Sequence, residues 1–422
     1  MSLKQYDNHI DKKRRVVITG MAGITALGNN WDSIYTHLKA GKNAVRYMHE
    51  WDVFDGLNTR LGAPIDDFVL PLHYTRKKIR SMGRVSLFST RATELALEKS
   101  GLLENPVLTD GRTGIAYGSS TGSTKPVSQF AKMLIEKTTK YISATTYVQM
   151  MPHTTAVNTG LFFGLRGRII PTSSACTSAS QAIGYAYETI LHGYQTVMVA
   201  GGAEELCPSE AAVFDTLFAT SQKNDQAHLS PAPFDANRDG LVIGEGSGTL
   251  ILEELEHALA RGAKIYGEII GFSSNCDASH ITQPRKETMQ ICMEQALKQA
   301  NLPTTAIGYI SAHGTATHRG DIAESQATAA LFGNKTPISS LKSYFGHTLG
   351  ACGGIEAWLL LEMMDKKWFS PTINLTKIDP LCGDLDYIIG EGRTLDIEYA
   401  MSNNFAFGGI NTSLVFKRWS SK

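Results

Sequence analysis

The stretch GRIIPTSSACTSASQAIGYAYETILHG, Gly167–Gly193, decides the fold because it joins a strand to a helix through a turn of small residues. The segment before Cys176 predicts a strand followed by a tight turn. After the turn, Ile183, Ala186 and Ile190 recur at helical spacing, and the closing glycine is a natural helix stop. The stretch therefore predicts one strand–turn–helix unit of an α/β protein.

Strands and helices alternate on both sides of this unit. The first series runs from RRVVITGMAG, Arg14–Gly23, to GTLILEEL and includes a helix at Arg84–Gly101. The second starts near KIYGEIIGFSSN, passes through the helix ETMQICMEQALKQANL and ends with NNFAFGGINTSLVFKR. This alternation predicts a layered α/β architecture of two halves, residues 14–260 and 261–418, each with a largely parallel sheet.

Composition excludes several classes of protein. The 422 residues hold 40 Lys plus Arg and 40 Asp plus Glu, so the chain lacks the basic footprint of nucleic-acid binding. It has no apolar run of about 18 residues, and its first residues are polar, so we expect neither a membrane span nor a signal peptide. The six cysteines fit no disulfide or zinc spacing, which indicates reduced thiols and the cytoplasm.

Cys176 is the candidate nucleophile. Its position at the start of a helix predicts a lowered thiol pKa, because free N–H groups and the helix dipole stabilise a thiolate. Small neighbours would let backbone N–H groups approach a developing oxyanion. The local pattern leaves open that this is a buried, inert cysteine.

Two histidines stand beside glycine at the ends of apparent strands. They are His313 in YISAHGTATHRGD and His347 in SLKSYFGHTLGACGG. Ligands commonly bind at such strand ends. Each histidine alone could be structural, but together with Cys176 they form a set suited to acyl chemistry. Lys342 lies shortly before His347 and Glu356 shortly after it.

Five segments in order resemble the β-ketoacyl-acyl-carrier-protein synthases, the elongating condensing enzymes of the thiolase superfamily. They are SSACTSA, PFDANRDGLVIGEGSG, AHGTATHRGD, KSYFGHTLGACGG and NNFAFGGIN, and the resemblance extends from Val16 to Phe416. It implies a thiolase-like layered αβαβα fold of two similar halves. It also implies a decarboxylating Claisen condensation, in which Cys176 accepts an acyl group and malonyl-acyl-carrier protein then extends it.

The resemblance implies roles for individual residues. His313 and His347 match the family's histidine pair, which would stabilise an enolate, and which of them also acts as a base stays open. Lys342 would support their charge network, with Glu356 as its acidic partner. The residues implied to contact substrate are Thr315, Thr317, Phe407, Gly408, Gly409, Thr121 and Phe214.

Several of these substrate residues carry a more specific expectation. The two threonines after His313 would bind the pantetheine arm, unless they are turn or cap residues. Phe407 would gate the nucleophile, but it follows Ala406 where relatives usually have glycine. Thr121 would line the acyl pocket, and its hydroxyl would favour unsaturated or aromatic-ended primers over long saturated ones.

Two groups of charged residues near these segments, one acidic and one basic, each allow two interpretations of their role. Glu210 and Asp215 flank the acyl-pocket segment and face either the pocket or solvent and the dimer contact. The segment TRKKIRSMGR either is a solvated face or docks an acidic acyl-carrier protein. Its residues for that role are Arg76, Lys77, Lys78 and Arg80.

The resemblance further implies a homodimer with no bound cofactor, since phosphopantetheine arrives on the acyl-carrier protein. A cysteine hydrolase, a non-elongating chain-length-factor-like partner and a thiolase are the alternatives. A hydrolase has no need of two histidines and Lys342, and a chain-length factor lacks the nucleophile. A thiolase normally has a second cysteine near the C-terminus in place of the NFAFGG segment. The wording of SACTSASQAIGYAYE resembles synthases of aryl-polyene-type clusters, so a fatty-acid or a polyene or polyketide pathway stays open.

Overall fold

The computed structural model describes residues 14–420. Its helices are α1 (Trp31–Lys39), α2 (Arg76–Ile79), α3 (Arg84–Ser100), α4 (Lys125–Glu136), α5 (Thr146–Met150), α6 (Thr154–Phe163), α7 (Ser178–Leu191), α8 (Pro208–Asp215), α9 (Leu255–Ala260), α10 (Lys286–Ala300), α11 (His318–Phe332), α12 (Lys342–Phe345) and α13 (Cys352–Lys366). Its strands are β1 (Val16–Thr25), β2 (Arg46–Tyr47), β3 (Leu61–Ala63), β4 (Thr113–Gly118), β5 (Ile169–Thr172), β6 (Val197–Glu204), β7 (Ile243–Gly244), β8 (Gly246–Glu254), β9 (Gly267–Cys276), β10 (Ile307–Ser311), β11 (Pro337–Ser339), β12 (Trp368–Phe369), β13 (Asp386–Tyr387), β14 (Arg393–Thr394), β15 (Tyr399–Phe405) and β16 (Ile410–Arg418).

One mixed sheet dominates the described part of the chain. Its eleven strands lie in the order β13-β11-β10-β15-β16-β9-β1-β8-β6-β4-β5. Five neighbouring pairs are parallel and five are antiparallel. The prediction of a largely parallel sheet in each half is therefore wrong. Alternating strands and helices indicate the layers, but they do not indicate that β8 and β16 run back antiparallel through the middle of each half.

The two halves repeat one strand order. The first half reads β1-β8-β6-β4-β5 and the second reads β9-β16-β15-β10-β11 across the sheet. Counted in chain order among these five strands, both halves read first, fifth, fourth, second and third, and β13 adds an outer strand to the second half. Residues 16–18 of β1 pair with residues 267–269 of β9 and join the halves. The two similar halves implied by the resemblance are confirmed.

Five layers follow from the positions of the helices. The helices α7 and α13 pack against each other and against strands of both halves, so they form the central layer. Outside the first half, α3 and α6 cover the sheet, and outside the second half α10 and α11 do so. Apolar side chains fill each interface, with the largest buried cluster around the central helices. This is the thiolase-like αβαβα arrangement.

Two glycines explain how closely the layers approach. The strand β1 continues through Gly20 and Gly23 to Thr25. A Cβ at Gly20 would overlap the Ala96 carbonyl of α3, and one at Gly23 would overlap the Trp358 ring of α13. The glycines therefore let helices on both faces pack directly on the strand.

Among the helices of residues 14–420, none is both long enough and apolar enough to cross a bilayer.

Candidate active site

Three strand ends bring the predicted catalytic side chains together. Cys176 follows β5, His313 follows β10 and His347 follows β11. The sulfur and one nitrogen from each ring all lie within 4.8 Å of one another, and the three side chains are buried. Nε2 of His347 is 2.9 Å from the Cys176 Sγ, and the two rings are nearly perpendicular with centroids 5.2 Å apart. The structure therefore brings together the three side chains that the sequence analysis grouped.

The turn that carries Cys176 is tight and strained. Ala175 has a φ of 50°, in the left-handed region that non-glycine residues seldom adopt. The N–H of Thr177 donates to the Ser174 carbonyl, and the N–H of Ser178 donates to the Ala175 carbonyl, both at 3.1 Å. The helix α7 begins two residues after Cys176, so the thiol lies near its N-terminus as predicted.

The resting thiol is less acidic than the sequence predicted. Burial raises the pKa of Cys176 to about 11, because a thiolate in this cavity loses its hydration. The charge of Lys342 and the backbone N–H groups of Phe407 and Cys176 lower that pKa, but burial outweighs them. The prediction of a lowered pKa is therefore wrong for the resting site. The two N–H groups near the sulfur are those that an acyl oxyanion would need.

Hydrogen bonds determine which nitrogen of each imidazole carries the proton. The N–H of Leu349 donates to Nδ1 of His347 at 3.1 Å, and Nδ2 of Asn404 lies 3.4 Å from Nδ1 of His313. Because each Nδ1 accepts, the proton of the neutral ring is on Nε2. Burial and then the charge of Lys342 lower the pKa of both histidines well below 6.5. Both rings are therefore neutral Nε2–H donors at physiological pH.

A buried ion pair supplies the positive charge beside the histidines. Nζ of Lys342 donates to Glu356 at 2.5 Å, and Nδ2 of Asn404 donates to the other carboxylate oxygen of Glu356 at 2.7 Å. Burial alone would lower the pKa of Lys342, but the charge of Glu356 raises it above its usual value. The ammonium thus stays charged. The structure brings the two residues together as the resemblance implied.

A cavity of about 500 Å³ opens onto Cys176 and contains most of the predicted substrate residues. Those in its wall are Thr315, Thr317, Phe214, Phe407 and Gly409. The two threonine hydroxyls are 2.9 Å apart, and the two phenylalanine rings stack with centroids 5.0 Å apart. Gly408 and Gly409 have φ values of 84° and 75°, which let the chain turn sharply after Phe407. Gly408 is exposed and outside the wall.

Several other candidates lie away from this cavity. Thr121 is exposed, and its N–H donates to Glu204 at 3.2 Å, so the expectation that it lines the acyl pocket is not met around Cys176. The side chains of Arg76, Lys77, Lys78 and Arg80 are also exposed, on and just after α2. They form a cationic face separate from the cavity wall.

The two acidic residues of α8 are both buried, so neither faces solvent. Asp215 accepts hydrogen bonds from the backbone N–H groups of Asn58 and Thr59 and from the Thr220 hydroxyl. Asp215 therefore has a structural role, because these bonds attach residues 58–59 and Thr220 to α8. Glu210 is different, because neither of its carboxyl oxygens has a hydrogen-bonding partner within residues 14–420.

Sequence reasoning missed three side chains that shape the site. Glu324 accepts the N–H groups of His313 and Gly314, both at 2.7 Å, and burial raises its pKa to about 8. The thiol of Cys352 donates to the Cys176 carbonyl at 3.2 Å. Asn404 connects Glu356 to His313. Cys352 lies in the segment KSYFGHTLGACGG and Asn404 in NNFAFGGIN. No local pattern in either segment indicated a contact with residues so far away in the chain.

Comparison with known proteins agrees with this geometry. Residues 13–258 match the family model described as beta-ketoacyl synthase, N-terminal domain, and residues 266–376 match beta-ketoacyl synthase, C-terminal domain. The chain is 38% identical over 416 residues to a 3-oxoacyl-[acyl-carrier-protein] synthase 2 of Synechocystis sp., covering 97% of this chain and 99% of the relative.

Solved structures of ketosynthases are also similar to this chain. A beta-ketoacyl synthase from Burkholderia phymatum is 60% identical, with a TM-score of 0.95 over 96% of this chain and 100% of that one. The structure of a type II PKS acyl-carrier protein in complex with its ketosynthase bound to the hexaketide is 30% identical, with a TM-score of 0.85 over 97% and 100% of the two chains.

Proposed function

The chain belongs to the β-ketoacyl synthase family, and we propose that it condenses an acyl thioester with malonyl-acyl-carrier protein to give a 3-oxoacyl-acyl-carrier protein. The reaction is an acyl transfer followed by a decarboxylating Claisen condensation. The observation that carries this proposal is the convergence of one thiol and two neutral Nε2–H donors in a cavity that opens to the surface. A thiol accepts an acyl group, and paired donors stabilise an enolate.

The first step moves the acyl group onto Cys176. Its sulfur attacks the thioester carbonyl of the acyl-carrier protein, the carbon–sulfur bond to pantetheine breaks, and the leaving sulfur takes the proton that Cys176 gives up. The exchange of one thiol for another needs no net proton. The backbone N–H groups of Cys176 and Phe407, which lower the pKa of the sulfur in the resting site, would then stabilise the oxyanion.

The second step uses the histidines. Malonyl-acyl-carrier protein loses carbon dioxide, and the electron pair of that carbon–carbon bond forms an enolate whose oxygen accepts from Nε2–H of His313 and His347. The enolate carbon attacks the Cys176 thioester, and the sulfur leaves and takes up one proton from solvent. Neither histidine has to act as a base, since both hold their proton on the nitrogen that faces the cavity.

The test is to supply hexanoyl- and malonyl-acyl-carrier protein and to follow three products by mass spectrometry. They are the 3-oxoacyl-acyl-carrier protein, carbon dioxide and the acyl adduct on the Cys176 peptide. Condensation that depends on both substrates supports the proposal. Release of free hexanoate at the same rate without malonyl substrate would instead indicate the cysteine hydrolase. Absence of any adduct would indicate a non-elongating partner subunit.

A homodimer is part of this proposal. The strand β5 is one of the two edges of the large sheet, and its Ile169 is exposed. Exposed apolar side chains also occur on the neighbouring α4, α5 and α6, namely Leu134, Ile135, Tyr147 and Leu161. An open edge beside exposed apolar surface favours pairing with a second copy. Sedimentation of an active monomer would contradict this.

The partner that delivers substrate is an acyl-carrier protein in the cytoplasm, with phosphopantetheine as a part of that substrate. The four cations on and after α2 are exposed and suit an acidic surface. Replacing Lys77 and Lys78 together by Glu should raise the KM for acyl-carrier protein and weaken its salt dependence, with kcat nearly unchanged. An unchanged KM would mean that the carrier docks elsewhere.

The choice of primer is a separate question from the chemistry. Fatty-acid elongation and polyene or polyketide assembly both fit the site, and a panel of saturated, polyunsaturated and aryl-ended primers separates them by initial rate. Because Thr121 is exposed in the single chain, an effect of Thr121→Ile on primer choice would require that a second copy cover it.

A further inference from the structure

The helix α8 presents two side chains of opposite character on one face. Phe214 lies in the wall of the cavity that opens onto Cys176, and Glu210 lies one helical turn before it. Residues four apart on a helix are neighbours on the same side. Glu210 is therefore the next side chain along α8 beyond the wall that Phe214 and Phe407 form.

Glu210 is a buried acid whose neighbours do not satisfy its hydrogen-bonding capacity. It is 5% exposed, and both carboxyl oxygens lack a hydrogen-bonding partner within residues 14–420. The Thr121 hydroxyl acts weakly on the carboxyl but makes no hydrogen bond of normal geometry. Buried polar groups are nearly always paired, so an unpaired carboxyl needs an explanation.

Its surroundings disfavour the charged form of this carboxyl. Burial and then the charges of Glu204, Cys207 and Glu205 raise the pKa of Glu210 well above its usual value. Its neighbours on α8, Ala211 and Phe214, belong to an apolar cluster that also includes Leu349. A neutral carboxylic acid has one O–H to donate and oxygen atoms that accept.

The other buried acids nearby are already satisfied, which makes Glu210 the exception. Glu204 accepts from Ser119, Ser120, Thr121 and Gly350, and Glu205 accepts from Thr124. Glu245 pairs with Arg84. These residues shape loops around the nucleophile. Glu210 supports none of them, so its free hydrogen-bonding capacity is available to a ligand.

We propose that the carboxyl group of Glu210 hydrogen-bonds an oxygen atom at the far end of the acyl chain and so selects primers that end in a hydroxyl group. The inference rests on the proposed condensation and names the substrate class of that same site. Glu210 is not itself in the cavity wall, so an acyl chain attached to Cys176 reaches this carboxyl only by passing the stacked rings of Phe214 and Phe407. A plain alkyl end there would leave the carboxyl unpaired, whereas a hydroxyl would pair with it.

The experiment compares alkanoyl and ω-hydroxyalkanoyl primers of matched length, from six to twelve carbons, on acyl-carrier protein. We expect kcat/KM to favour the hydroxylated primer by about tenfold or more at one chain length and by little at the others. In Glu210→Leu the preference should disappear and the alkanoyl primer should gain. In Glu210→Gln, which keeps a donor and an acceptor, most of the preference should remain.

Matched controls separate the possible failures. Glu256→Leu makes the same chemical change at an exposed position of α9 and should leave the ratio unchanged. If the unmodified enzyme shows no preference at any length, the inference is overturned, whether or not Glu210→Leu folds. It is equally overturned if Glu210→Leu weakens the dimer in sedimentation but keeps the ratio. Failure to condense any primer would instead overturn the proposed function.

Discussion

The turn after β5 and the segment after β11 occupy equivalent places in the two halves, yet they are built differently. Each follows the third strand of its half and leads into a central helix. The first has five residues, 173–177, whereas the second has twelve, 340–351, and includes α12. The short turn presents one reacting atom, on Cys176. The longer segment presents Lys342 and His347.

The difference extends to what holds each segment in place. The turn around Cys176 is closed by hydrogen bonds within itself and by the strained Ala175. The longer segment depends on distant partners, since the His347 N–H donates to Val242 at 2.6 Å and Lys342 pairs with Glu356 on α13. A local turn needs little support, whereas an irregular segment stays in position only through contacts with other elements. Changes in the two regions should therefore have different consequences.

The largest effect should come from the short turn. Replacing Cys176 by Ser should abolish condensation while the free energy of unfolding changes little, because the turn keeps its backbone bonds. Mass spectrometry of the protein with an acyl primer, and a denaturant titration, measure the two quantities. The control is Cys352→Ala, which should retain the adduct on Cys176. An adduct found on Cys207 or Cys352 in the unmodified enzyme would disprove the assignment.

In the longer segment, Lys342→Met should lower stability as well as activity. It leaves Glu356 buried without its cation, which typically costs about 3–5 kcal/mol in the free energy of unfolding. Urea denaturation checks this, with Lys367→Met as the control, because its pair with Asp396 is exposed and should matter far less. Equal losses of unfolding free energy in the two variants would contradict the expectation that the buried pair matters more than the exposed one.

The same variant should shift the pH dependence of the rate. The charge of Lys342 lowers the pKa of His313 and His347, so removing it lets both pKa values rise toward 6.5. In the neutral rings Nδ1 accepts a hydrogen bond. Protonation of either ring puts a proton on Nδ1 and so breaks the hydrogen bond that this nitrogen accepts. As pH falls, Lys342→Met should therefore lose malonyl decarboxylation at a higher pH than the unmodified enzyme. An unchanged acid limb would show that Lys342 does not set these pKa values.

Removing one histidine at a time should separate the two chemical steps. Either His313→Ala or His347→Ala should slow malonyl decarboxylation about 100- to 1,000-fold, because the enolate loses one donor. His347→Ala should also slow acylation of Cys176, since its Nε2 is 2.9 Å from the sulfur, whereas His313→Ala should affect acylation less. Release of carbon dioxide and formation of the adduct are measured separately. Normal decarboxylation in both variants would refute their role.

The smallest effect should come from the strain in the short turn. Ala175 adopts a φ of 50°, which glycine tolerates better, so Ala175→Gly should raise the free energy of unfolding by no more than about 1 kcal/mol. Condensation should stay close to normal if the hydrogen bonds of the turn alone position the sulfur. A large fall in acylation without loss of stability would show that Ala175 itself restrains the nucleophile.

Local patterns were sufficient for much of the fold and of the catalytic set. The helix α3 spans residues 84–100 and ends at Gly101, which has a φ of 70°, as the apolar spacing and the closing glycine predicted. The elbow at Cys176 and the two strand-end histidines were also predicted correctly. Each of these features depends on residues close together in the chain, so a short window of sequence contains the whole physical cause.

Features that depend on meeting partners could not be predicted in this way. The antiparallel return of β8 and β16 depends on which strands pair in space, and the support from Glu324 and Asn404 depends on residues distant in sequence. The sequence left two readings of Glu210 open, and the packing of α8 against its neighbours shows that this side chain is buried.

The amino-acid sequence alone identified the candidate nucleophile, its place at a strand-to-helix turn and the two strand-end histidines. The electrostatic state of these groups depends instead on the distant segments that pack around them. The same helix start that favours a thiolate is buried here, and the pKa of Cys176 rises to about 11 because desolvation depends on every atom packed around the sulfur. The proton on each histidine Nε2 likewise follows from donors that other segments bring to Nδ1.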